Sequence, residues 1–80
     1  MPKPKRLSGA EVVRVLETFG FSIRDQRGSH IKLARTVDSQ KQTLVIPNHN
    51  ELATGAVVAI FRQANRYIPE QELRPHFYSL

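Results

Sequence analysis

Of three histidines in the 80-residue chain, one sits where its chemistry is easiest to use. His30 follows directly on Arg27-Gly28-Ser29, and residues 29–35 then alternate, so that His30 and Lys32 share one face of an extended segment while Ile31 and Leu33 share the other. An imidazole on the polar face of a strand can take a proton from a ribose 2′-hydroxyl or give one to a leaving 5′-oxygen. Arg24, Arg27, Lys32 and Arg35 lie on or beside the same hairpin, and cations there could hold a scissile phosphate and stabilise the charge gathering on it. Ser29 either bonds within the turn or touches RNA, and Gly28 has a backbone task first, accepting positive φ at the turn. His49, in the loop after Pro47, is a second proton carrier, a phosphate contact or, in the structural reading, a residue that caps or organises that loop. The pattern describes a metal-free RNA cleavage site, and the same residue types also fit an ordinary solvated strand surface.

Other chemistries lack their residues. The absence of Cys leaves neither a disulfide staple nor a thiolate metal site. No Gly-rich phosphate loop and no pair of His at helical spacing is present. The 7 acidic residues lie mostly in helical or loop segments rather than converging as a metal nuclease requires, so neither a metal nor a cofactor is expected. Lys and Arg number 12, giving a net charge of +5 and favouring a polyanionic partner. No apolar run approaches the roughly 20 residues of a membrane span, so a soluble, cytoplasmic protein without membrane contact is expected.

The elements that must position His30 follow from periodicity. Ser8 with Glu11 three residues on makes a capping box, opening a helix that carries Val12, Leu16 and Phe19 on one stripe and stops at Gly20. Phe21 to Arg24 alternates as a strand, Arg27-Gly28 turns, and Ser29 to Arg35 is a second strand. The polar segment Thr36 to Lys41 reads as a loop, and Thr43 to Ile46 as a third strand ended by Pro47. Val57, Ile60, Phe61 and Ala64 mark a second amphipathic helix beginning near Gly55 with Thr54 as a candidate cap. Pro69 at a first helical position starts a short third helix that Pro75 closes, leaving residues 76–80 to pack or fray. The expected fold is α+β in the order α-β-β-β-α: a three-stranded antiparallel sheet, both main helices on one face, and a short C-terminal helix. One domain is expected over 1–80, with its core in about 7–73, a basic arm over 1–6 and a tail over 74–80.

Leu16, Gly20-Phe21, Arg27-Gly28-Ser29-His30, Ile46-Pro47 with His49, and Gly55 occur in an order and spacing that resemble the HicA toxin family over almost the whole chain. Leu33, where relatives often carry an aromatic, and Ala56-Val57, where Thr-Leu is common, depart from the pattern. The resemblance implies a fold similar to a double-stranded-RNA-binding domain, cleavage of messenger RNA, and inhibition by a HicB-like antitoxin. It also implies that His30, in the Gly-Ser-His motif, is the catalytic residue. The alternative is a non-catalytic RNA-binding module in which His30 only contacts a phosphate or a 2′-hydroxyl.

Overall fold

In the computed structural model, which describes residues 2–79, the chain runs β1 (Lys3–Pro4), α1 (Gly9–Thr18), β2 (Ser22–Arg27), β3 (His30–Val37), β4 (Gln40–Pro47), α2 (Thr54–Asn65), α3 (Glu70–Phe77) and β5 (Tyr78–Ser79). Strands β2, β3 and β4 form an antiparallel meander in that order, and β1 pairs with β5 in a separate two-stranded ribbon. The α+β expectation holds, and the ribbon is an addition to it.

Helix α1 begins as its sequence requires. The Glu11 backbone N–H donates to the Ser8 hydroxyl at 3.0 Å, and the Ser8 N–H donates back to Glu11 Oε1 at 2.8 Å. The Ser8 backbone bond, then its hydroxyl, hold the Glu11 carboxyl below its ordinary pKa. A carboxyl with a lowered folded-state pKa adds stability above its unfolded pKa and loses it as the pH falls through the folded value. Glu11→Gln should therefore be less stable than the parent near neutrality, and the gap should narrow as the pH falls below the ordinary carboxylate range. Thermal melts of both proteins at neutral and at acid pH check this, and an equal gap at both would exclude the carboxylate as its source.

The sheet gives the helices a floor through its register. Ile31 lies opposite Ile46 and Leu33 opposite Leu44, all on one face and all buried. Against them pack Val12, Val13 and Leu16 of α1 and Val57, Ile60, Phe61 and Ala64 of α2, with Leu73 and Phe77 of α3 completing the same cluster. Each large side chain removed from water contributes about 1.5–3 kcal/mol, and this burial holds the sheet and helices together. The cover stops at β3. Every residue of β2 is exposed, and Ile23, although opposite the buried Leu33, is 50% exposed.

Four boundaries differ from the sequence expectation. Strand β2 continues past Arg24 to Arg27, because its outer half pairs with β3 through backbone bonds that need no apolar alternation. Residues 36–41 are not an open loop: β3 and β4 pair as far as Val37 and Gln40 around a two-residue turn. Asp38 and Ser39 both take positive φ there, 51° and 66°, the signs of a type I′ turn. Thr54 is the first helical residue rather than the cap of α2, and Ala53 stands at the cap without a side-chain bond. The buried Leu52, whose N–H donates to the Leu7 carbonyl at 2.8 Å, fixes where the chain enters that helix. Pro75 does not close α3 but lies inside it, and Pro69 caps it instead of starting it. A proline in the last turn forfeits one backbone bond, and full burial of Leu73 and Phe77 on either side offsets that loss. The C-terminal tail then packs: Tyr78 and Ser79 pair with Pro4 and Lys3, and the Tyr78 ring meets the Phe61 ring edge-on at 5.1 Å.

Candidate functional site

The face of the sheet turned away from the helices is a grid set by strand register. Its first row, at one end, is Arg27, His30 and Pro47; the next is Asp25, Lys32 and Val45. Asp25, Arg27, His30, Lys32 and Val45 together line a depression of about 150 Å³. Two features aim these residues there. Gly28, at φ 56° in the first central position of the two-residue turn, joins Arg27 to His30 so that they sit directly opposite each other. Between Ile23 and Asp25 the register shifts, leaving Arg24 as a bulge without a partner on β3 and bringing Asp25 opposite Lys32.

The charges within this depression are already partly arranged. Asp25 Oδ2 accepts from Arg27 Nε at 3.0 Å, and Asp25 Oδ1 accepts from the Gln26 backbone N–H at 2.9 Å. An ion pair this exposed adds little stability. Its effect is orientational: with Nε held, the two Nη groups of Arg27 remain free to donate as a fork to a phosphate. Lys32 adds a second cation on the neighbouring strand, and Val45, 45% exposed, supplies an apolar floor. His30 is exposed, and among the described residues no side-chain hydrogen bond engages its imidazole. No three His, Cys, Asp or Glu side chains come together among the described residues as a metal set would.

The other sequence candidates lie elsewhere. Ser29 is in the turn, and its carbonyl accepts from the Asn48 N–H at 2.6 Å, tying the turn to the segment after β4. His49 is exposed in that segment, outside the depression, and its carbonyl accepts from the Gly9 N–H at 2.8 Å. Arg24 is exposed at the bulge of the uncovered edge strand. Arg35 is turned to the opposite face of the sheet. Its Nε donates to Gln42 Oε1 at 2.6 Å, Nη1 to the Phe19 carbonyl at 2.6 Å and Nη2 to the Tyr67 carbonyl at 2.7 Å, while the guanidinium stacks 4.8 Å from the Phe21 ring centre. Phe19 caps the end of α1 and Tyr67 lies just beyond α2, so one cation satisfies exposed carbonyls at two helix C-termini, where positive charge is favoured. Arg35 is thus occupied in joining the helices to β3 and is not available at the His30 face.

Asp25 and Val45 belong to the site and were not among the sequence candidates. Asp25 reaches this face only because the bulge at Arg24 flips the parity of β2; uninterrupted alternation from Phe21 and Ile23 would have put it on the other face. Gly9 matters too, for a reason local sequence does not carry. A Cβ there would fall on the Pro47 carbonyl oxygen and 2.9 Å from Asn48 Cα, so the start of α1 is pressed against the segment that braces the Ser29 turn.

The family described as HicA toxin of bacterial toxin-antitoxin matches the chain over residues 9–65, which include α1, the three-stranded sheet and α2. No curated protein and no solved structure matches it.

Proposed function

Because the chain belongs to the HicA toxin family of bacterial toxin–antitoxin systems, and so takes the toxin role opposite an antitoxin, we propose that it is a metal-independent endoribonuclease that cleaves messenger RNA in the cytoplasm. The observation that carries this reading is the meeting of His30, Arg27 and Lys32 around one small depression on an otherwise open sheet face.

The chemistry follows from those three groups. His30 accepts the proton of a ribose 2′-hydroxyl, whose oxygen forms a bond to the adjacent phosphorus as the P–O5′ bond breaks. The leaving 5′-oxygen takes up a proton from the imidazolium or from water. The products are a strand ending in a 2′,3′-cyclic phosphate and a strand beginning with a 5′-hydroxyl. Arg27, oriented by Asp25, and Lys32 stabilise the negative charge that builds on the non-bridging oxygens. Gly28 serves by setting the turn, and Ser29 by holding it through its carbonyl. His49 and Arg24, which do not line the depression, are assigned to contacts with flanking RNA. A HicB-like antitoxin would silence the protein by covering the His30 face.

Purified protein should cut single-stranded RNA in the presence of EDTA at an undiminished rate, and the fragments should carry cyclic phosphate ends by mass spectrometry. Fragments ending in a 3′-hydroxyl, or activity that EDTA abolishes and a divalent cation restores, would overturn the mechanism.

A further inference from the structure

Beyond the depression, the outer sheet face continues in register for two more rows that the cleavage chemistry leaves unused. After Arg27-His30-Pro47 and Asp25-Lys32-Val45 come Ser22-Ala34-Thr43 and then Thr36-Lys41. Successive rows are two residues apart, about 6.7 Å, comparable with the step from one phosphate to the next along an extended strand. The third row is made of small side chains, and Ala34 in it is almost fully covered by its neighbours. The four rows carry Arg27, Lys32 and Lys41 against one acid, Asp25, which already holds Arg27, and Asp38 lies in the turn beyond the last row. It has no Phe, Tyr or Trp in any of its four rows, so bases find no stacking platform there and the ribose-phosphate backbone is what it can grip.

We propose that this face is a track for a single RNA strand running from His30 to Lys41, with Lys41 holding a phosphate about three nucleotides from the bond that is cut. The proposal rests on the reading of His30 as the cleavage site. A single strand is specified because attack of a 2′-oxygen on its own phosphate needs an in-line arrangement that a regular duplex does not allow. An unpaired, splayed nucleotide can reach it. Contact through phosphates alone also makes the track indifferent to base identity, so sequence preference would come from the nucleotides at His30.

The test uses the full-length chain with His30→Ala, so that RNA is bound and not consumed, with and without Lys41→Ala. Single-stranded oligonucleotides are trimmed stepwise from each end toward the scissile position. For a long strand, loss of one phosphate contact should weaken binding about fourfold at 0.15 M salt and lower the slope of log Kd against log salt by about 0.7. Lys41→Arg should restore the parent value. Once the strand on one side is cut back to a single nucleotide, Lys41→Ala should make no difference. Equal effects on long and trimmed strands, no effect on either, or the same Lys41 dependence with a duplex of equal length would each overturn the track. Failure of the His30 reading shows separately, as absence of cleavage by the parent protein.

Discussion

Replacing His30 with Ala should abolish RNA cleavage while leaving the fold intact. General acid–base groups contribute about 10²–10⁴-fold in rate, so the variant should fall by at least two orders of magnitude in a fragment assay on the same RNA. The imidazole is exposed and carries no side-chain hydrogen bond among the described residues, so the melting temperature should move by no more than a surface substitution moves it, roughly 0.5 kcal/mol in stability. Binding of RNA should persist, because Arg27 and Lys32 are untouched. A folded His30→Ala protein that cut at the parent rate would remove the imidazole from the chemistry and leave the RNA-binding module as the better description.

The largest effect on stability should come from a substitution that looks mild, Gly9→Ala. Gly9 is buried at the first turn of α1, and the added methyl would meet backbone atoms of Pro47 and Asn48 rather than the far end of a flexible side chain. Overpacking against an unyielding partner costs about 3 kcal/mol, the upper part of the usual range. In an 80-residue chain with total stability of about 4–12 kcal/mol that is a large fraction, and the melting temperature should fall by roughly 15 °C. Relief can come only by moving α1 or residues 47–49, which would strain both the Gly9 N–H bond to His49 and the Asn48 N–H bond to Ser29. Gly9→Ala should therefore also slow cleavage at temperatures where it is still folded, although Gly9 touches nothing in the depression. A melting temperature within a few degrees of the parent would show that this segment yields easily.

The contrast between these two residues shows what the amino-acid pattern can convey. His30 was legible because period-two alternation fixes which face it occupies, and because the turn before it is announced by Gly28. Helix α1 was legible down to its capping box, since Ser8 and Glu11 meet through bonds three residues apart. Asp25 was not, because β2 is an edge strand without helix cover and its polar run Arg24-Asp25-Gln26-Arg27 shows no apolar rhythm. The hairpin tip at Asp38-Ser39 lacks the Asn-Gly or Asp-Gly signal of a type I′ turn, so the residue pattern does not show how far β3 and β4 extend. Gly9 and Arg35 were out of reach for a different reason. Each answers to backbone atoms far away in sequence: the Pro47 carbonyl for Gly9, and for Arg35 the carbonyls of Phe19 and Tyr67, 16 and 32 residues distant. Alternation does place Arg35 on the inner face with Ile31 and Leu33, and that parity was the available sign that it would not join His30.

Arg35 bears on how the protein opens as well as how it is held. Helix ends ordinarily fray one by one, each at its own small free-energy cost. Here the last carbonyls beyond α1 and α2 share one guanidinium rooted in the central strand, so loosening either end weakens the grip on the other and on β3. The C-terminal ends of both helices thus belong to one cooperative unit of local unfolding. Slow amide exchange in these two segments, remote in sequence, should rise and fall together.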